Sequence, residues 1–299
     1  MKGFAMSLLS RRSFLKTAVY GSVVAASTSL ISGQTESPNN NKFEEKRYRI
    51  SICDWDLAAT GNPSSFAVAK ELGFEGVEVS YLPEGEFSLS KPENRKLFLD
   101  TAQKNGPVIS SFAMGILNER PLATVPEAES WVEGCLDAMV EMNIPIVLLA
   151  FFGNGDIKDD KTARAKVVEK MKRLADKAEA KGKILGIESY LNAEESLEML
   201  RAIGSDAVKV YHDAQNMLTK EYAIYDDMEL LFKENAICQV HAKEYDARLG
   251  EGKIDFKRYA EILDRYGYRS WVVAETSVRG DWKESQAANA AFLKKLFQN

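Results

Sequence analysis

The chain has 299 residues, 45% of them apolar, and a formal net charge of −5. The apolar fraction suffices for one large core, and no Lys/Arg-rich run is long enough to suggest a nucleic-acid partner. Three widely spaced cysteines, Cys53, Cys135 and Cys238, indicate neither a disulfide framework nor a zinc ribbon, and two histidines exclude any site built on three imidazoles.

Residues 1–31 read as an address rather than as part of the fold. Lys2, Arg11 and Arg12 make a basic start, and Thr17 to Ile31 is a small-residue, apolar stretch without charge. It is shorter than the roughly 20 residues of a membrane span and fits a signal h-region. Just before it, Ser10-Arg11-Arg12-Ser13-Phe14-Leu15-Lys16 matches a twin-arginine export signal. The expectation is a periplasmic or otherwise exported protein with no membrane span in its mature form. Residues 32–47, with Gln34, Ser37 and Pro38, read as a polar linker.

From residue 48 to 299 short β-branched runs alternate with longer helical stretches. Strands are expected at 50–53, 76–80, 108–113, 144–151, 184–189, 208–212, 237–241 and 271–274. Helices are expected near 64–72, 93–105, 127–142, 161–181, 194–203, 226–234, 256–266 and 284–297. The strands are nearly continuous apolar runs, as strands covered on both faces are, and Cys53 and Cys238 lie inside them as inert thiols. Eight units of about 30 residues predict a single-domain α/β fold, the (β/α)8 TIM barrel. An open doubly wound sheet would carry a Gly-rich phosphate loop after its first strand, where this chain has Asp54-Trp55-Asp56-Leu57.

Barrel enzymes take their active-site residues from the C-terminal ends of strands. The fifth strand ends on Glu188, the sixth on His212-Asp213, the seventh on His241 and the eighth on Ala274-Glu275. A lone acid at such a place is often a helix cap and a lone His a structural residue. Four metal-competent side chains at matching positions of four consecutive strands are not explained by capping. Three carboxylates converging at a barrel mouth repel one another unless a cation joins them. The set Glu188, Asp213, His241 and Glu275 is therefore expected to bind one divalent metal. Its oxygen-rich character favours manganese, magnesium or cobalt and is compatible with zinc. Three carboxylates around a dication leave one negative charge in excess, for which Lys243, Arg248 and Arg279 are the candidate partners. Trp55, Phe112, Met114, Phe151, Phe152 and Trp282 are aromatic or soft side chains near strand ends, where sugars could stack.

These residues resemble the xylose isomerase-like TIM barrels, the sugar phosphate isomerase/epimerase superfamily, and within it the single-metal branch of the ketose 3-epimerases. The resemblance spans Arg49 to the C-terminus. It rests on Gly186-Ile187-Glu188, Tyr211-His212-Asp213-Ala214-Gln215-Asn216, Val240-His241-Ala242-Lys243-Glu244, the run Leu249 to Phe256 (LGEGKIDF), Ala274-Glu275 and the second-strand pattern Phe74-Glu75-Gly76-Val77-Glu78. It implies that Glu188, Asp213, His241 and Glu275 are the metal ligands and that Glu188 and Glu275 form the acid/base pair. It places Glu194, six residues after Glu188, at a substrate contact. Asn216, Lys243, Arg248, Glu78 and Trp55 complete the expected substrate-binding set. Two departures stand out. Asn216 occupies the position of a substrate-binding His, and Ala247 that of an Arg, which weakens the case for free hexuloses. Dimers and tetramers occur in that family, so a homo-oligomer is compatible with the resemblance.

The implied activity is isomerisation or epimerisation of an unphosphorylated keto-sugar or sugar derivative through an enediolate. Export argues against sugar phosphates, which are cytoplasmic. Dehydratase, hydratase or lyase chemistry on 3-keto-glycosides would use the same intermediate. A metal-dependent hydrolase would need a further base that the histidine count does not supply, and a non-catalytic sugar-binding envelope protein would not need the complete ligand set.

Overall fold

The computed structural model describes residues 48–276 and 280–298. The expected export segment at 1–31, the linker at 32–47 and Arg279 lie outside the described residues. Eight strands form a closed parallel barrel in sequence order: β1 (Arg49–Cys53), β2 (Gly76–Ser80), β3 (Val108–Met114), β4 (Ile146–Phe151), β5 (Ile184–Ser189), β6 (Val208–Asp213), β7 (Ile237–Ala242) and β8 (Trp271–Ala274). Closure is made by β8 pairing with β1, with Ser51 opposite Val273. The expected fold is therefore present.

Helices α1 (Ser65–Leu72), α2 (Pro92–Asn105), α3 (Ala128–Glu141), α4 (Lys161–Ala180), α5 (Ala193–Ile203), α7 (Ile224–Lys233), α8 (Phe256–Arg265) and α9 (Trp282–Phe297) follow the strands. A short additional helix, α6 (Ala214–Thr219), starts directly where β6 ends. Six residues carry too little periodicity to reveal it in the sequence. Among the described residues no helix is long and apolar enough to cross a membrane.

The main core lies between barrel and helices. Ile50 and Ile52 of β1 and Val77 and Val79 of β2 face outward, where Phe66 and Phe98 meet edge to face at 6.2 Å. Fully burying side chains of this size contributes about 1.5–3 kcal/mol each. Phe112, Met114 and Phe151 also belong to this layer and not to the barrel mouth. The alternate residues face inward. Trp271, Ile146 and Val273 fill part of the interior together with Cys53 and Tyr211. Gly186 makes this packing feasible, because a Cβ there would sit 2.9 Å from the Cys238 sulfur and 3.2 Å from the Tyr211 ring.

His212 takes the outward position on β6. It is buried, its Nδ1 lies 3.3 Å from the Tyr259 hydroxyl on α8, and its Nε2 has no hydrogen-bond partner. Burial pushes its pKa from 6.5 down to about 4. The folded state thus prefers the neutral ring. Its contribution is complete above pH 6.5 and is lost as pH falls toward 4, by about 3 kcal/mol. Chemical denaturation between pH 4 and 7 should show this slope in the wild type and a shallower one in His212→Gln.

Candidate metal centre

Strand register brings the four expected ligands to one level. Asp213 is paired with His241 across β6 and β7, and the Glu275 N–H donates to the Ala242 carbonyl just past β8. Glu188, Asp213 and His241 are buried, while Glu275 keeps a partly exposed edge. One ligand atom from each of the four lies within 4.8 Å of the others. The His241 Nδ1 stands 3.2 Å from a Glu188 oxygen, 3.1 Å from Glu275 Oε2 and 3.9 Å from Asp213 Oδ2. A single ring nitrogen carries at most one proton, so it cannot satisfy three carboxylates.

Asp213 divides its oxygens between two tasks. Oδ1 accepts the Gln215 and Asn216 N–H groups at 2.7 and 3.0 Å and so caps α6. Oδ2 is buried and accepts no hydrogen bond. An orphaned carboxylate oxygen beside two more carboxylates and an imidazole fits a hard divalent cation. These four residues could hold it. Burial pushes the Glu188 carboxyl up against the pull of His241, whereas His241 and Lys243 outweigh burial at Glu275 and hold it low.

The interior below these four residues is partly polar. Glu78, fully buried on β2, accepts from Ser111 Oγ at 2.6 Å and Tyr211 OH at 2.7 Å through one oxygen. Its other oxygen lies 3.0 Å from His241 Nε2, with the Cys53 sulfur at 3.6 Å. Gln239 donates to both Ser111 and Tyr211. Cys53, Glu78 and the Nε2 face of His241 also lie close enough to form a second three-residue group. The 3.0 Å contact is an ordinary hydrogen bond, and with Nε2 bonded to a carboxylate, Nδ1 is the nitrogen left for a metal. Glu78 therefore underpins His241 and is not at a substrate surface, which corrects the sequence expectation. Alternation along β2, β6 and β7 could have revealed Glu78, Tyr211 and Gln239 as inward-facing neighbours.

Above the ligands opens a cavity of about 420 Å³, in the range of small-molecule sites. Glu188, Asn216, Lys243, Glu275, Trp55 and Phe152 line it. Tyr190 and Tyr245 line it too, although their loops gave no sequence signal. The Asn216 amide donates to Glu188 at 3.0 Å. Trp55 stands edge-on to His241 with ring centroids 6.5 Å apart.

Two further expectations are corrected. Glu194 is exposed in the first turn of α5 and does not line the cavity, because the short loop after β5 ends at the Asn192 cap and turns the helix start outward. Arg248 pairs with Glu284 at 2.8 Å and bonds to Ser285 on α9, away from the cavity. The mouth is tied together by other acids. Asp54 accepts from Gly61 N, Ser80 N and Ser80 Oγ, and Asp56 accepts from Thr276 N. Glu244 accepts from Lys253 and Ile254 N–H groups. A Cβ on Gly252 would overlap that carboxylate at 2.1 Å, which explains the glycine of the LGEGKIDF run.

A parallel eight-stranded barrel with a carboxylate–imidazole cluster under a small-molecule cavity defines the class of barrels whose active site sits at the C-terminal face of the strands. The chain belongs to the xylose isomerase-like TIM barrel family, whose model matches residues 66–296. No curated protein sequence matches it. Among solved structures it is similar to D-psicose 3-epimerase from Clostridium cellulolyticum H10, with a TM-score of 0.69, 17% identity and coverage of 84% of this chain and 100% of that one. D-allulose 3-epimerase from Methylomonas sp. gives 0.66, 17%, 84% and 98%. The 3-keto-D-glucoside 4-epimerase from E. coli gives 0.64, 16%, 84% and 100%. At these identities the likeness establishes the shared fold.

Elemental analysis after purification with manganese should find about one ion per wild-type chain and almost none in His241→Ala. Glu78→Gln should fold yet bind the ion about 10- to 100-fold more weakly, since it loses the carboxylate that orients the imidazole.

Proposed function

We propose that the protein is a divalent-metal-dependent isomerase or epimerase acting on an unphosphorylated keto-sugar or sugar derivative. One observation carries the reading: four ligand side chains from four adjacent strands converge at the floor of a cavity that Glu188 and Glu275 both line. When bound, a divalent cation supplies Lewis acidity that stabilises negative charge developing on the substrate's oxygens.

The chain's own groups then divide the work. Glu188 and Glu275 enter from β5 and from beyond β8, with β6 and β7 between them. One takes the proton next to the carbonyl and the other returns a proton to the resulting enediolate. Return to the opposite face at the same carbon gives an epimer, and return at the neighbouring carbon an isomer. Asn216 holds Glu188 in place through its amide. Trp55, Phe152, Tyr190 and Tyr245 offer ring faces to a sugar and exclude water from the floor.

A second reading, dehydratase, hydratase or lyase chemistry on 3-keto-glycosides, follows from the same enediolate when a β-oxygen departs. The departures at Asn216 and Ala247 favour it over chemistry on free hexuloses, and the similarity to a 3-keto-D-glucoside 4-epimerase supports its substrate class alone. The motif Ser10 to Lys16 supports export by the twin-arginine route, by which the substrate would be a sugar outside the cytoplasm.

The test is α-proton exchange. Manganese-loaded protein is incubated in deuterated water with free ketoses and with 3-keto-glucosides and followed by NMR. Exchange should occur with at least one class and fall by about 10²- to 10⁴-fold in Glu188→Gln and Glu275→Gln. Absence of exchange with both classes would sink the enediolate reading.

A further inference from the structure

Among the described residues lining the cavity, Lys243 is the only cation. Its side chain is 12% exposed, one residue past the end of β7 and two past His241. The ammonium lies 2.8 Å from Glu275 Oε2 and 3.5 Å from Asp213 Oδ2. Those are the same two oxygens that face His241 Nδ1 at 3.1 and 3.9 Å. An ammonium and a dication therefore address one pair of oxygens. Of the other two candidate partners, Arg248 is engaged with Glu284, and Arg279 lies outside the described residues.

Two consequences follow from charge alone. In the metal-free chain, Lys243 gives Asp213 and Glu275 a counter-charge and relieves the mutual repulsion of buried carboxylates. In the loaded chain, any dication held by these oxygens lies close to a like charge in a site with little water to screen it. Metal affinity is then lower than the four ligands alone would give. With Lys243 the ligands and the dication carry no net charge, and without it they carry one negative charge.

We propose that Lys243 is the resident counter-cation of the metal centre: it holds Asp213 and Glu275 together in the metal-free chain and competes with the dication for their oxygens. The proposal rests on the metal reading above, but its test reads affinity and stability rather than turnover. Manganese binding to metal-stripped full-length protein is measured by titration calorimetry for wild type, Lys243→Met, Lys243→Gln and Lys243→Arg, together with melting of the metal-free forms.

Lys243→Met and Lys243→Gln should bind manganese at least about tenfold more tightly than wild type. Their metal-free forms should melt several degrees lower, with manganese closing the gap. Lys243→Arg, which keeps the charge, should stay within about threefold of wild type. A neutral variant that folds only with manganese present supports the proposal in the same way. Equal or weaker manganese binding by both neutral variants overturns it, as does an unchanged melting temperature of their metal-free forms. Wild type that binds no manganese overturns the metal centre itself, an outcome separate from either of these.

Discussion

Three carboxylates and an imidazole share a few ångström at the floor of this barrel, and their charge has to be compensated for the chain to fold. Much of the surrounding structure answers that requirement. Lys243 reaches Glu275 and Asp213 from the end of β7. The Asn216 amide and the N–H groups at the start of α6 take two of the acidic oxygens. Glu78 receives four donors, which spreads its charge over Ser111, Tyr211, Cys53 and His241. Asp213 Oδ2, which accepts no hydrogen bond and meets only the more distant charge of Lys243, faces the place a cation would fill.

The barrel supplies the rigidity that makes such a cluster tolerable. Parallel pairing keeps neighbouring strand ends at one height, and the outward residues are locked by the helix layer. Inside, the fold departs from a purely apolar filling. Tyr211 lies beneath His241, with ring centroids 4.6 Å apart, in room left by Gly186. Buried polar groups of this kind are costly when half satisfied, but here Glu78, Ser111, Tyr211 and Gln239 bond to one another. They couple the floor of the site to β2, β3, β6 and β7.

The fold and the convergence of four metal-competent side chains are legible in the sequence because both depend on local pattern. Apolar strand runs ending on Glu188, Asp213, His241 and Glu275 are visible without any knowledge of contacts. The supporting residues depend on three-dimensional neighbours and were harder to see. The family resemblance puts Glu78 among the substrate contacts, yet it is the middle residue of β2, and inward alternation and the bulge between β2 and β3 place it below the four-residue cluster. Glu194 and Arg248 were placed by family spacing alone, and the short loop after β5 and the pairing with α9 carry them elsewhere. Tyr190 and Tyr245 belong to loops, where no periodicity marks a side chain as cavity-lining.

Asp213 closes β6 and opens α6 in the same residue. With one oxygen fixed by two N–H groups, its carboxylate cannot turn freely about its side-chain bonds, so the other oxygen arrives already aimed. The same helix start carries Asn216, which touches Glu188 and lies 3.5 Å from the Tyr245 hydroxyl through its amide oxygen. A cation taken up at Asp213 would therefore bear on the first turn of α6. The cavity wall and the carboxylate floor are two ends of one short lever.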